Sequence, residues 1–121
     1  MKIWLPVVSF LLMSSSVLQA GEANVVAVKV EKTGSNIFRF DVTVSHSDEG
    51  WDHYADKWEI AGPDGTVIGT RTLYHPHVDE QPFTRSLAGL KIADDIVAVT
   101  VRAHDSVHGY GGKSVQVTFP R

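Results

Sequence analysis

The sequence predicts an all-β sandwich, and three observations point to it. Apolar and polar residues alternate with a period of two in seven short segments, which is the pattern of half-buried β-strands. Turn-forming residues separate these segments at intervals of about ten residues. No segment after the N-terminal leader has the period of an amphipathic helix. Together these observations favour a seven-stranded immunoglobulin-like antiparallel β-sandwich that follows a cleaved signal peptide.

The N-terminal leader has the features of a secretory signal peptide. Lys2 gives a basic start, residues 3–13 form an apolar run, and small residues lead to Ala20. The run is too short for a typical membrane span, and a single membrane anchor is the alternative interpretation. Cleavage after Ala20 predicts a signal peptide over residues 1–20 and one periplasmic or secreted domain over residues 21–121. The chain has no cysteine to which a lipid could be attached.

The mature domain is expected to contain no sulfur and to be mildly acidic. Both methionines, Met1 and Met13, lie in the leader, so disulfides and soft sulfur ligands are excluded. The net charge of −3 becomes −4 when the leader leaves with its single charged residue, Lys2. Because no basic patch is present, we expect no nucleic-acid partner. We also expect no contact with the membrane once the leader has been removed.

The first three strands show the clearest alternation. The first, over residues 26–31, places Val26, Val28 and Val30 on one face. The second, over residues 38–44, alternates phenylalanine and valine with polar residues after a turn at 34–36. The third, over residues 54–60, is expected to place Tyr54, Asp56, Trp58 and Ile60 on one face. Trp58 then matches the buried tryptophan that is typical of such sandwiches.

Four further strands complete the predicted fold. A tight turn at 62–65, in which proline presets φ and glycine accepts positive φ, leads to the fourth strand. A connecting turn at 91–95 separates the fifth strand from the sixth, and a glycine-rich loop precedes the seventh. We expect these four strands over residues 67–74, 83–87, 97–103 and 115–119.

All six histidines lie in three segments, over residues 46–53, 75–80 and 104–112. These segments belong to the second, fourth and sixth connections between strands. Consecutive antiparallel strands reverse direction, so these alternate connections are expected to share one end of the sandwich. The first, third and fifth connections contain no histidine. The sequence therefore predicts that the fold gathers the histidines at one end.

The same three segments contain carboxylates but no lysine or arginine. Concentrated negative charge costs folding free energy unless a cation balances it. Neutral imidazole and carboxylate suit a divalent transition metal, here copper, zinc or iron. His75 and His77 flank Pro76, which keeps the backbone extended, so their side chains are expected to point the same way. The predicted metal ligands are His46, His53, His75, His77, His104, His108, Asp48 and Asp105.

Less specific interpretations remain open for several of these residues. His46 is the histidine most readily explained as a solvated loop residue. Asp48 fits an Asx-turn, and Asp105 fits a brace for the glycine-rich loop. The histidines as a group also fit a proton-sensing or ordinary hydrogen-bonded network. Trp51 is either packed over the end of the core or exposed to a ligand.

The predicted fold and the clustered histidines are compatible with two functions from different classes. The first is a metal-binding protein that carries metal or performs redox chemistry. The second is a non-enzymatic module whose loops bind a protein or small ligand through Trp51, Tyr74 and Tyr110. If the protein is an enzyme, the histidines favour a metal-dependent oxidoreductase over a hydrolase, and no Gly-x-Ser-x-Gly motif occurs. A copper oxygenase with an N-terminal histidine is not expected, because the mature chain would begin at Gly21.

Two stretches resemble the iron domain of superoxide reductases, the desulfoferrodoxin and neelaredoxin proteins. In residues 46–60, His53 and Tyr54 followed by Trp58 are similar to the family's histidine-bearing loop and tryptophan-bearing strand. In residues 103–119, the segment 108–110 is similar to its terminal His-Gly-aromatic element. The resemblance implies an immunoglobulin-like sandwich with an iron centre at its loop end. It places three residues in the iron-ligand regions: His46, His53 and His108.

Asp105 stands where that family has its cysteine ligand, three residues before the terminal histidine, and His104 lies beside it. The family's thiolate tunes the iron for the reduction of superoxide. His75 and His77 have no counterpart in the family. The resemblance therefore implies a fold and the location of a metal site, and it does not carry over the reaction.

Overall fold

The computed structural model describes residues 21–119, and these form an all-β chain with no helix. The strands pair in two antiparallel sheets, with the orders β1-β2-β5 and β4-β3-β6-β7. None of the described residues forms a helix that would be long and apolar enough to cross a membrane. The predicted signal peptide lies outside the described residues. The strands are β1 (Asn24–Gly34), β2 (Ile37–Ser45), β3 (Ala55–Ala61), β4 (Val67–Thr72), β5 (Phe83–Lys91), β6 (Ala98–Asp105) and β7 (Val115–Thr118).

The two sheets share one hydrophobic core, which lies between them. Strand β2 supplies the alternating side chains that the sequence predicted, with Phe38 and Phe40 fully buried. Trp58 and Ile60 of β3 face them and are fully buried as well, so the prediction of a buried tryptophan on the third strand is confirmed. Burial of these large apolar side chains is the main stabilising contribution of the fold.

Irregular strand pairing shifts two of the predicted faces. In β1, the register against β2 shifts between Val25 and Ala27, so Val25 is buried and Val26 is exposed. In β3, the register against β6 shifts between Ala55 and Lys57, which buries Ala55 and leaves Asp56 outside the core. The assignment of Val26 and Asp56 to inner faces was therefore wrong, because a shift of one residue exchanges the two faces of a strand.

The strands also end at different residues from those predicted, and the differences in β4, β5 and β6 bear on the site. Strand β5 continues to Lys91 through an irregularity at Gly89, whose φ is 68°. This irregularity interrupts the alternation of apolar and polar residues on which the strand prediction depends. Strand β4 ends at Thr72, whereas β6 continues to Asp105. His104 therefore lies within a strand rather than in the loop that follows it.

The second, fourth and sixth connections meet at one end of the sandwich, as the sequence predicted. Here this end is called the loop end, and it consists of residues 46–54, 73–82 and 106–114. The backbone N–H of His46 donates to the Gln81 side chain at 2.9 Å, which joins the first two segments. The N–H of Ser106 donates to the carbonyl of Tyr54 at 3.0 Å, which joins the first to the third.

Candidate metal centre

Asp105 is a fully buried carboxylate at the loop end, where β6 ends. Its Oδ1 accepts hydrogen bonds from the backbone N–H groups of Val107 at 2.6 Å and His108 at 2.9 Å. The backbones of Asp105 and Gly109 exchange two hydrogen bonds of 3.0 Å, which close the turn. The predicted brace for the glycine-rich loop is therefore present. It uses only one carboxylate oxygen and leaves Oδ2 directed toward the histidines.

Three imidazole rings converge on Oδ2 of Asp105. The Nε2 atoms of His46 and His53 lie at 2.6 and 2.8 Å, and Nδ1 of His108 lies at 3.2 Å. His46 is buried, contrary to the interpretation of it as a solvated loop residue. One potential ligand atom from each of His46, His53 and Asp105 lies within 4.8 Å of the other two. The spacing is that of a group that can hold one metal ion.

Each of the two inner histidines also contacts a carboxylate through its other ring nitrogen. Nδ1 of His46 donates to Oδ1 of Asp48, and Nδ1 of His53 donates to Oε1 of Glu49 at 2.7 Å. These contacts hold both Nε2 atoms toward Asp105 and favour the tautomer whose Nε2 lone pair is free for a metal. The carboxylates of Asp48 and Glu49 thus lie behind the rings, on the side away from the convergence point.

Asp48 fixes the local structure around His46. Its Oδ1 also accepts from the N–H of Ala55 at 3.0 Å, and its Oδ2 accepts from the N–H of His77 at 2.6 Å. The carboxylate is buried, and it links the start of β3 to the connection between β4 and β5. Both oxygens are engaged in these contacts, so Asp48 positions His46 and does not face the convergence point.

The electrostatics of the group keep Asp105 ionised. Burial alone would raise the pKa of Asp105, but hydrogen bonds outweigh it, first from the N–H groups of His108 and Val107 and then from the imidazoles. The net effect holds the pKa of Asp105 far below its usual range. The pKa of His53 is raised, chiefly by the hydrogen bond to Glu49, while burial opposes the shift and Asp105 adds to it. The group therefore combines the fixed negative charge of Asp105 with the basic imidazole of His53.

Gly21 reaches the same group, which the sequence analysis did not predict. Its carbonyl oxygen lies 3.3 Å from Nε2 of His46 and 3.1 Å from Nε2 of His53. A side chain at position 21 would collide with His108, whose Cε1 lies 2.8 Å from the place of a Cβ atom. Only tertiary structure brings the Gly21 carbonyl to the histidines, because Gly21 precedes β1 and carries no side chain that could mark it as part of a metal site.

His75 and His77 form a separate pair beyond Asp48. Their ring centroids lie 4.7 Å apart, and the His77 ring stacks on Phe83 at 4.1 Å. Nδ1 of His77 is buried without a hydrogen-bond partner among the described residues, and it lies 4.0 Å from Asp48. Burial lowers the pKa of His77, and the nearby charge of Arg85 lowers it further. The structure does not bring this pair to the oxygen of Asp105 on which the other rings converge.

His104 points away from the core. Its Nδ1 donates to Oδ1 of Asp56 at 2.6 Å, and its ring contacts the edge of Tyr110 at 4.7 Å. Neighbouring positions 103 and 105 face inward, so His104 lies on the outer face of the β4-β3-β6-β7 sheet. Of the eight predicted ligands, the structure gathers four at one point: His46, His53, His108 and Asp105.

Comparisons with known proteins give one relevant similarity. No protein-family model matches the chain, and no solved structure matches it significantly. The chain is similar to a protein of Halomicrobium mukohataei named "Putative lipoprotein", with 41% identity over 103 residues, or 85% of this chain. The chain spans about half the length of that relative, 50% of it. The comparisons thus relate the chain to a protein named as a lipoprotein and leave its chemistry to be inferred from the site.

Proposed function

We propose that this chain is an exported metal-binding protein that holds one divalent transition metal at the loop end. The ligands are Nε2 of His46, Nε2 of His53, Nδ1 of His108 and Oδ2 of Asp105. One observation carries the proposal. Two imidazoles present Nε2 to the same Asp105 oxygen while each Nδ1 rests on a separate carboxylate. Metal-binding histidines in proteins are typically held in this way.

The distances suit a single small cation. Ligand atoms about 2.1 Å from a common tetrahedral ion lie about 3.4 Å from one another. His108 is at 3.2 Å from Asp105, close to that separation. His46 and His53 are at 2.6 and 2.8 Å, so a bound ion requires each to move outward by less than about 1 Å. Such a movement is within the reach of side-chain rotation.

A hydrogen-bonded histidine network is the competing explanation of the same contacts. In that case His46 and His53 must each donate from both ring nitrogens, because each nitrogen of either ring touches a carboxylate oxygen. A divalent ion at the convergence point removes this requirement, because it replaces the proton on Nε2 and balances the buried charge of Asp105. Metal analysis distinguishes the two explanations directly.

The ligand atoms limit which metal ions suit the site. The proposed ligands are imidazole nitrogen and carboxylate oxygen, which suit zinc, copper(II) and iron(II). The chain contains no cysteine, so no thiolate is available to select copper(I) or an iron–sulfur cluster. Metal transport and redox chemistry are both compatible with such a site.

The relation to superoxide reductases is also a proposal. We infer an immunoglobulin-like sandwich in which Asp105 takes the place of the family's cysteine ligand. The strand orders β1-β2-β5 and β4-β3-β6-β7 and the convergence of three histidines on Asp105 support this inference. Because an oxygen ligand stands in place of sulfur, we do not assign the reduction of superoxide to this chain.

Export through a signal peptide over residues 1–20 is the last part of the proposal. The basic start, short apolar run and Ala20 support cleavage before Gly21. The relative from Halomicrobium mukohataei is named as a lipoprotein, a class found at the cell envelope, which supports an envelope or extracellular location for this chain as well.

The test is to express the full chain with its own leader, collect the exported protein and measure bound metal. Zinc, copper(II) and iron(II) are offered separately, and weakly held metal is removed by dialysis. We expect about one ion per chain for at least one metal, and a loss of that ion in His46→Ala and His53→Ala. His104→Ala is the matched control, since this histidine lies on the outer face. Less than stoichiometric metal in every case would refute the proposal.

Exposed aromatic residues support a second function, the binding of a protein or small ligand by the same loops. Trp51 is 68% exposed and Tyr74 is 76% exposed, so the first of the two interpretations of Trp51, packing over the core, was wrong. This function predicts capture of a partner that survives metal removal. It also predicts that Trp51→Ala weakens capture more than His46→Ala does.

A further inference from the structure

The segment before β1 is held against the glycine-rich loop. The N–H of Val25 donates to the carbonyl of Lys113 at 2.8 Å, and the N–H of Lys113 donates to Oδ1 of Asn24 at 2.7 Å. A Cβ atom at Gly112 would lie 1.9 Å from the carbonyl oxygen of Ala23, so only glycine permits this approach. Ala23 itself is buried in the core. The fold therefore fixes the path of the chain immediately after Gly21.

The fixed path brings the backbone of Gly21 among the proposed ligands. Its carbonyl oxygen is within 3.3 Å of Nε2 of both His46 and His53, and a Cβ atom at this position would lie 2.8 Å from Cε1 of His108. Within one residue, covalent geometry keeps the backbone nitrogen within about 3.6 Å of the carbonyl oxygen. Rotation about the bond between the α-carbon and the carbonyl carbon moves this nitrogen without moving the oxygen.

We propose that removal of the leader completes the metal site, because the free α-amine of Gly21 becomes a ligand of the ion. The amine nitrogen and the carbonyl oxygen of Gly21 can close a five-membered chelate ring on the ion held by His46, His53 and Asp105. In the unprocessed chain the same nitrogen is part of a peptide bond and is not a ligand. This inference rests on the proposed metal site and on cleavage after Ala20.

The amine adds a fourth nitrogen donor to the proposed site. With it, the donor set contains four nitrogens, from three imidazoles and one amine, together with the oxygens of Asp105 and Gly21. Nitrogen donors of this kind favour copper(II) over zinc and iron(II) in the general order of divalent affinities. The preferred ion of the processed chain is therefore copper(II).

Selective isotope labelling tests whether the amine binds the metal. The full chain is expressed with its leader in medium containing either ¹⁴N or ¹⁵N glycine, and the exported product is checked by intact mass and loaded with copper(II). The other glycine nitrogens are peptide nitrogens, and the imidazoles are unlabelled. We expect a mass for a chain that starts at Gly21 and a ¹⁵N coupling to copper in the electron-nuclear double resonance spectrum of the labelled sample.

A chemical variant provides a second measurement on the same folded protein. Transamination with pyridoxal phosphate converts the α-amine of Gly21 to an aldehyde and leaves lysine side chains unchanged. We expect the apparent affinity for copper(II), measured by competition with a chelator, to fall by at least about tenfold.

The outcomes separate this inference from the proposed function. Identical spectra of the two labelled samples, unchanged affinity after transamination, or a mature chain that starts at another residue would each overturn the role of Gly21 while the histidine site stands. Failure of both the processed and the transaminated chain to bind copper(II), zinc or iron(II) would overturn the proposed function itself.

Discussion

Replacement of Asp105 by asparagine is the sharpest test of the site. The asparagine side chain would keep an Oδ1 atom that accepts from the backbone N–H groups of Val107 and His108, so the turn after β6 is expected to be retained. At the other position an amide nitrogen would replace the oxygen that faces His46 and His53. The variant thus removes the negative charge at the convergence point with almost no change in side-chain volume.

The contacts of Asp105 set the expected loss in the free energy of unfolding. In the metal-free protein, the substitution removes the two shortest of the three imidazole contacts of Asp105, at 2.6 and 2.8 Å, each worth about 1.5–3 kcal/mol. The total agrees with the loss of about 3–5 kcal/mol that follows when one partner of a buried charged pair is removed. Since small domains are stable by about 5–15 kcal/mol, Asp105→Asn is expected to remain folded with a much reduced stability.

The assay combines urea denaturation of the metal-free protein with measurement of metal affinity. We expect the free energy of unfolding to fall by about 3–5 kcal/mol and the metal affinity to fall at least about a hundredfold, since the only anionic ligand is lost. Asp64→Asn, the same chemical change in an exposed turn between β3 and β4, is the matched control. If Asp105→Asn behaves like this control in both measurements, Asp105 is not the centre of the site.

Three further predictions concern residues around the site and in the sheet. Glu49→Gln removes the main cause of the raised pKa of His53, so this pKa should fall in an NMR titration and metal affinity should fall about tenfold. His77→Phe should stabilise the metal-free protein increasingly as the pH falls from about 7.5 to about 5, as measured by urea denaturation. The pKa of His77 is lowered in the folded state, so below the ordinary histidine pKa of 6.5 the unfolded chain binds a proton that the folded chain does not. Arg102→Met leaves the buried carboxylate of Glu59 without its ion pair at 2.7 Å, and the free energy of unfolding should fall by about 1–3 kcal/mol.

Each of these predictions has a control in the same chain. Asp52→Asn alters an exposed carboxylate in the same loop as Glu49, and it should leave the pKa of His53 nearly unchanged. His75→Phe replaces an exposed histidine whose charge is only a secondary cause of the lowered pKa of His77, so its gain in stability at low pH should be much smaller than that of His77→Phe. Arg39→Met breaks an exposed pair with Asp41 and should have no measurable effect on stability. A control that matches its test variant would contradict the corresponding reasoning.

Much of the fold follows from local pattern. The alternation in residues 38–44 predicted a buried face, and Phe38, Phe40, Val42 and Val44 indeed have their side chains fully buried. Pairing irregularities near Val26, Asp56 and Gly89 were not predicted. At such an irregularity, two residues of one strand lie opposite a single residue of its partner. The position of the irregularity therefore depends on how two distant strands pair, and the local sequence does not specify it.

The sequence by itself determined that the histidines share one end of the sandwich. Strand alternation fixes the number of strands, antiparallel pairing fixes the parity of the connections, and composition excludes sulfur ligands. These properties depend on order along the chain, which the sequence states directly.

Only the tertiary structure decided which of these residues meet. It gathered His46, His53, His108 and Asp105 at one point, turned His104 to the outer face, and brought Gly21 to the group. The physical reason is that ring orientation depends on contacts across the fold, such as that of Asp48 with His46 and of Glu49 with His53. Those contacts set the distances between the imidazole nitrogens and the Asp105 oxygen. These distances of a few ångströms decide whether the atoms can bind the same ion.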